Sequence, residues 1–227
     1  MTYDRRRFLT TSALGLGAIA DSGFSAEAAV AEPRNSREAM QKLLEGNARF
    51  VADRTECVPL SARRIELASG QSPFAIVLGC SDSRVPVETV FDQVPGSIFA
   101  VRIAGNFVDD SALGSIEYSV SVLKSMLILV LGHRNCGAVK AAVAYVKSGE
   151  VQAGHIQTLV NAVAPAARST KSMSGDWIEN ATVRNVQDNI GMLTSRSSII
   201  TSAVESGSLS IAGGVYDLHS GRVDILR

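Results

Sequence analysis

An α/β fold is predicted, with a central, mostly parallel β-sheet of about four strands plus an edge strand, flanked by helices. Three observations predict it. The short apolar runs 74–79, 98–101 and 127–131 show no polar alternation, as strands buried on both faces require. Helical patterns separate or follow these runs. Near the C-terminus, 208–216 alternates weakly and 223–226 follows a turn at Gly221, which reads as a terminal strand pair at the sheet edge.

The elements follow in chain order. Met40, Leu43, Leu44, Phe50 and Val51 recur at helical spacing, which predicts a surface helix over roughly 36–53 with Ser36 as its N-cap. Pro59, Leu60 and Ser61 open a short second helix. Between the second and third apolar runs, 111–124 carries Leu113, Ile116, Glu117 and Val120 on a helical pattern. A helix over 138–147 ends at Gly149. Residues 155–168, 176–195 and 197–205 read as helices, the first two parted by the polar stretch 169–175.

Composition narrows the function. The 227 residues are 46% hydrophobic and 19% charged, so a buried core forms and global disorder is excluded. Lys+Arg and Asp+Glu number 22 each, and aromatics are 5%. Neutral charge with few stacking rings argues against nucleic acid as a partner. Only three cysteines and three histidines are present, too few for a disulfide-stapled scaffold or a multi-zinc array.

Residues 1–31 read as an address. Arg5, Arg6 and Arg7 precede an apolar stretch over 8–20, shorter than the ~20 residues a membrane-spanning helix needs. The order Arg5-Arg6-Arg7-Phe8-Leu9 resembles a twin-arginine export signal, with Thr10 where that signal favours lysine. Small residues at Ala26, Ala28, Ala29 and Ala31 offer cleavage sites. The expectation is a protein exported to the periplasm or the exterior, with a single catalytic domain over 32–227 that includes an N-terminal helical arm.

The chemistry gathers at two strand ends. The run 74–79 leads into Cys80-Ser81-Asp82-Ser83-Arg84, and 127–131 leads into Gly132-His133-Arg134-Asn135-Cys136-Gly137. Open parallel sheets place their sites past the carboxyl ends of strands. If the two strands are neighbours, Cys80, His133 and Cys136 converge. Two thiolates and an imidazole suit zinc, and three protein ligands leave a fourth position open, as in catalytic zinc sites.

Cys80-x-Asp82-x-Arg84 followed by His133-x-x-Cys136 resembles the β-class carbonic anhydrases, and Arg102-Ile103-Ala104-Gly105-Asn106 resembles an intervening segment of that family. Pro95, Gly96, Tyr216 and Gly221 fit as well. The resemblance implies one Zn²⁺ per chain on Cys80, His133 and Cys136. It implies reversible hydration of carbon dioxide to bicarbonate and a proton by zinc-bound hydroxide. Asp82 would accept a hydrogen bond at the metal or replace its water in a closed form. Arg84 would hold Asp82 away and ionised.

Gln71, Phe99, Ala104 and Gly137 match substrate-pocket positions, with Gln71 reaching the site of a second subunit. A homodimer or homotetramer is implied. Some members add an inhibitory bicarbonate pocket built from an arginine, matched by Arg102, and a tryptophan, where Val77 stands here. That pocket is therefore incomplete and the open form is expected, with Arg102 read as a structural ion-pair partner of the subunit interface. The same zinc chemistry serves carbonyl sulfide or carbon disulfide. A non-catalytic zinc module is the third reading. Cys57, His155 and His219 carry no assignment.

Overall fold

A computed structural model of the chain describes residues 32–56 and 60–226. The export signal expected over 1–31, and Cys57 and Pro59, lie outside the described residues.

The strands are β1 (Ala75–Gly79), β2 (Ile98–Arg102), β3 (Leu127–His133), β4 (Ser210–Tyr216) and β5 (Val223–Ile225). They form one sheet in the order β2-β1-β3-β4-β5, parallel throughout except for the antiparallel β5. Every residue of β1 and β3 is buried, which is why both read as unbroken apolar runs. The runs end differently, however. β3 continues past its apolar stretch through Gly132 and His133, because β4 pairs with it to the end, Gly132 opposite Val215 and His133 opposite Tyr216.

Alternate strand residues face opposite layers. Val77, Leu129 and Leu131 pack with Leu43 of α1 (Ser36–Val51) and with Val87 and Phe91 at α3 (Val87–Val90). Ile76, Leu78, Ile128 and Val130 pack with Ile116 of α4 (Asp110–Ser121). The same layer takes Val186 and Leu193 of α7 (Trp177–Arg196) and Ile200 of α8 (Ser198–Glu205). A third apolar cluster joins α5 (Gly137–Ser148) to α6 (Ile156–Ser169) and contains Cys80 and Cys136. The remaining helix, α2 (Leu60–Leu67), follows Pro59 as expected. No helix among the described residues is long and apolar enough to cross a membrane.

Two local readings change, and one short helix went unread. Asn35 rather than Ser36 caps α1, its side chain accepting from the Glu38 N–H at 3.0 Å. Ser36 is the first helical residue and its hydroxyl instead meets that of Ser210 at 2.8 Å. α4 stops at Ser121, before the expected 124, where Lys124 turns the chain with φ 61°. α3 is a single turn, too short to show a periodicity.

The polar side of α1 is tied into the fold by Asn47. Its amide donates to the carbonyls of Val90 (3.0 Å) and Gly221 (2.8 Å) and accepts from the Val223 N–H (3.0 Å). Next to it, Gly46 lies against the backbone at Phe91, and a Cβ there would collide with the Phe91 carbonyl. Backbone does not yield as a side chain does. Gly46→Ala is therefore expected to destabilise the protein by at least about 2 kcal/mol despite alanine's better helix propensity, read by urea unfolding.

Candidate metal centre

Parallel pairing of β1 with β3 sets Gly79 opposite Leu131, so the residues that follow each strand share one end of the sheet. Cys80 leaves β1 there and His133 ends β3. Asn135, with φ 57°, reverses the chain so that Cys136 returns to the same point at the start of α5. The Sγ atoms of Cys80 and Cys136 and a ring nitrogen of His133 all lie within 4.8 Å of one another. All three residues are buried.

The imidazole is prepared for a metal. His133 Nδ1 is 2.9 Å from the carbonyl oxygen of Arg134. A carbonyl only accepts, so Nδ1 carries the proton and Nε2 presents a lone pair. That Nε2 is buried with no hydrogen-bond partner. A buried polar atom without a partner is costly, and a metal ion held with the two sulfurs satisfies it. Two thiols and one imidazole fit zinc.

The thiols act on each other. A hydrogen bond from Cys136 is the largest influence lowering the Cys80 thiol, and the same bond raises Cys136. Gly105 N–H also donates to Cys80 Sγ at 3.3 Å. Gly105 has φ 88°, and a Cβ there would press on Val163 and Ala138, so glycine is required where the backbone meets the sulfur. The Gly105 carbonyl accepts from Asn185 Nδ2 (2.8 Å), and Asn189 Oδ1 accepts from the Val108 N–H (2.7 Å). The two asparagines are joined, Asn189 Nδ2 to the Asn185 carbonyl at 2.7 Å, and both are buried. Sequence reading missed this pair. The signal was present: two asparagines one helical turn apart on the face of α7 that also carries Ala181, Val186 and Leu193.

Asp82 lies at the rim. Arg84 donates to it three times, Nε to Oδ1 (2.9 Å), a terminal nitrogen to Oδ2 (2.7 Å) and the backbone N–H to Oδ1 (3.0 Å). The Arg84 side chain is the main reason that the Asp82 carboxyl sits well below the usual carboxylate range. Asp82 Oδ2 is 3.8 Å from His133 Nε2. Arg102 spans from β2 to this loop, donating to the carbonyls of Cys80 (2.9 Å) and Asp82 (2.7 Å). Within the chain its guanidinium thus binds backbone oxygens.

The four pocket residues divide. Ala104 adjoins Gly105 and so borders the cluster. Gly137 follows Cys136 and is exposed; a Cβ there would meet nothing within 4 Å. Phe99 pairs in register with Ile76, four residues before Cys80, roughly 13 Å along the strand, and leans on Tyr118 with ring centroids 6.3 Å apart. Gln71 precedes β1 at the opposite end of the sheet and is exposed. Neither reaches the cluster of its own chain. Outside the cluster, Arg84, Arg134, Lys140, Asp217 and His219 line a polar cleft. Arg134 there binds both Glu179 (3.0 Å) and Asp217 (3.2 Å). His155 stands apart, at the start of α6.

The sequence model of a family described as carbonic anhydrase matches residues 75–223. Carbonic anhydrase 2 of Mycobacterium tuberculosis is 42% identical over 189 residues, 83% of this chain and 91% of the relative. Among solved structures, the Coccomyxa β-carbonic anhydrase in complex with acetazolamide aligns with a TM-score of 0.65 and 28% identity, covering 82% of this chain and 86% of that one. One from a study of two tetrameric β-carbonic anhydrases of Sordaria macrospora aligns with a TM-score of 0.65 and 25% identity, covering 82% and 96%.

Proposed function

Because the chain belongs to the β class of the carbonic anhydrase family, whose enzymes are zinc lyases, we propose that it hydrates carbon dioxide reversibly to bicarbonate and a proton. Cys80, His133 and Cys136 hold one zinc ion per chain. The observation that carries this reading is the orphaned, buried Nε2 of His133, left with a free lone pair by the Nδ1 bond and grouped with two thiols.

Bound zinc supplies a Lewis acid that makes water a nucleophile, ionising it less readily beside two thiolates than beside three imidazoles. The protein does the rest. Asp82 stays ionised and offers Oδ2 as an acceptor, which orients the attacking water. Arg84 keeps that carboxylate from turning away. Ala104 and Gly137 leave room beside the cluster for a small apolar gas. Gln71, at the far end of its own sheet, serves the site of another copy, and Phe99 lines the same shared pocket. A homodimer or homotetramer follows from this, and the tetrameric relatives support it.

The test is zinc analysis of the purified full chain together with stopped-flow carbon dioxide hydration from pH 6.5 to 9. About one zinc per chain and a rate that rises with pH are expected. Folded protein that takes up no zinc overturns the ligand assignment. One zinc without hydration moves the substrate to carbonyl sulfide or carbon disulfide, or means a closed site with Asp82 on the metal.

We also propose export through a twin-arginine route, on the strength of Arg5-Arg6-Arg7-Phe8-Leu9 and the short apolar stretch after it. The full chain is expected in the periplasm and an Arg5→Lys/Arg6→Lys variant in the cytoplasm. Equal distribution of the two in cell fractions refutes it.

A further inference from the structure

Asp82 has two destinations. One is Arg84, at 2.7 Å; the other is the metal cluster, since Oδ2 already lies 3.8 Å from His133 Nε2. A carboxylate is itself a good zinc ligand. Occupying the open position, it would exclude water. Arg84 holds it back at the carboxylate with a bidentate pair and a backbone bond, but the Arg84 side chain is 56% exposed, and this pair does not fix the backbone that carries Asp82.

A second restraint acts on the backbone. Arg102 reaches across from β2 with one donor on the Cys80 carbonyl (2.9 Å) and another on the Asp82 carbonyl (2.7 Å). These oxygens bracket Ser81, so one planar guanidinium fixes both ends of the segment that links a metal ligand to the carboxylate. The fork geometry matters, because two separate acceptors are engaged at once. Two neighbouring bonds complete the frame: Ile103 N–H to the Gly79 carbonyl (3.1 Å) and Val85 N–H to the Asp82 carbonyl (3.0 Å). Both belong to the main chain. Arg102 is the side chain that joins the two halves.

We propose that Arg102 is a positioning residue that keeps Asp82 off the metal. By fixing the carbonyls of Cys80 and Asp82, it aims the carboxylate at Arg84 and leaves the fourth metal position open. This rests on the roles given above to Asp82 and Arg84.

The experiment uses the full chain with cobalt(II) in place of zinc and azide as the probe, followed by visible absorption. Azide takes the open metal position in the wild-type protein. In Arg102→Ala, Asp82 competes for it, and azide affinity is expected to fall about tenfold or more. In Arg102→Ala/Asp82→Asn the carboxamide is a poor ligand, and wild-type azide affinity returns. Arg102→Lys keeps the charge but loses the fork, so its affinity falls as well, and Arg102→Lys/Asp82→Asn recovers it. The lysine pair decides the matter if the alanine variants do not fold. Wild-type azide affinity in a folded Arg102 variant overturns the proposal. So does failure of the Asp82→Asn change to restore binding. Hydration by zinc-loaded Asp82→Asn alone is a separate readout. Full activity there removes the catalytic role of Asp82 without touching the azide result.

Discussion

Cys136→Ser is expected to abolish carbon dioxide hydration and to weaken zinc binding by more than the roughly 100-fold that loss of a supporting partner costs. The residue is buried, starts α5 and points into a cluster with one other sulfur and one nitrogen. The helix terminus favours a thiolate there once the metal displaces the proton. Serine keeps the shape and loses the charge. Its hydroxyl does not ionise at working pH, so the donor set falls to one thiolate and one imidazole. The fold does not depend on the sulfur in the same way. Zinc should therefore raise the melting temperature of the wild-type protein and leave that of the variant nearly unmoved, because a ligand stabilises only the state that binds it. Metal analysis, thermal melts with and without zinc, and stopped-flow hydration check the three parts. Tight zinc binding by the variant would remove Cys136 from the ligand set.

The second large effect belongs to Asp82. Asp82→Asn should lower kcat/KM for hydration by about 100-fold while zinc content stays that of the wild type. The sign of the pH effect follows from the carboxyl's environment. Hydrogen bonds from Arg84 place it well below the usual carboxylate range, so it is ionised throughout pH 6.5 to 9 and its own titration lies outside that window. Its contribution to stability is present above the ordinary carboxylate value of about 3.9 and is lost only as pH falls through the lower folded value. Removing this anion next to the cluster eases ionisation of the nucleophile. The residual activity of the variant should thus have its midpoint at lower pH than the wild type. A midpoint displaced to higher pH in the stopped-flow profile would contradict the placement of an ionised Asp82 beside the cluster.

The sequence was most legible where one physical constraint acts alone. β1 and β3 are buried on both faces, so their composition announces them. The ligands stand at the carboxyl ends of those strands, where a parallel sheet gathers its chemistry, and the donor types name the metal. Legibility ended where a side chain answers to backbone far away. Arg102 reads as an ion-pair partner of the interface, and its carbonyl partners stay hidden, because a carbonyl leaves no mark in a sequence. The cap of α1 was misread by one residue since Asn35 and Ser36 are both good caps and only the backbone angles choose. β3 outran its apolar run because Gly132 and His133 are held by pairing with β4 rather than by hydrophobicity. Gln71 and Phe99 match a family pattern, yet within one chain they lie away from the cluster. Their reading depends on a second copy, which one chain's periodicity does not describe.

The Asn47 side chain has a bearing on how the molecule is made. Two of its three bonds go to Gly221 and Val223, at the opposite end of the chain. A ribosome releases the chain N-terminus first, so α1 emerges long before the groups that secure it. Until the last strand is free, the Asn47 amide lacks those two partners. The hydrogen bonds of α1 to the β4–β5 turn therefore form only after that turn has been made, whereas its apolar face can meet Val77, Phe91 and Leu129 earlier. A product that stops short of Gly221 keeps the Asn47 bond to Val90 and loses the other two, so α1 is held there by its apolar face and a single hydrogen bond.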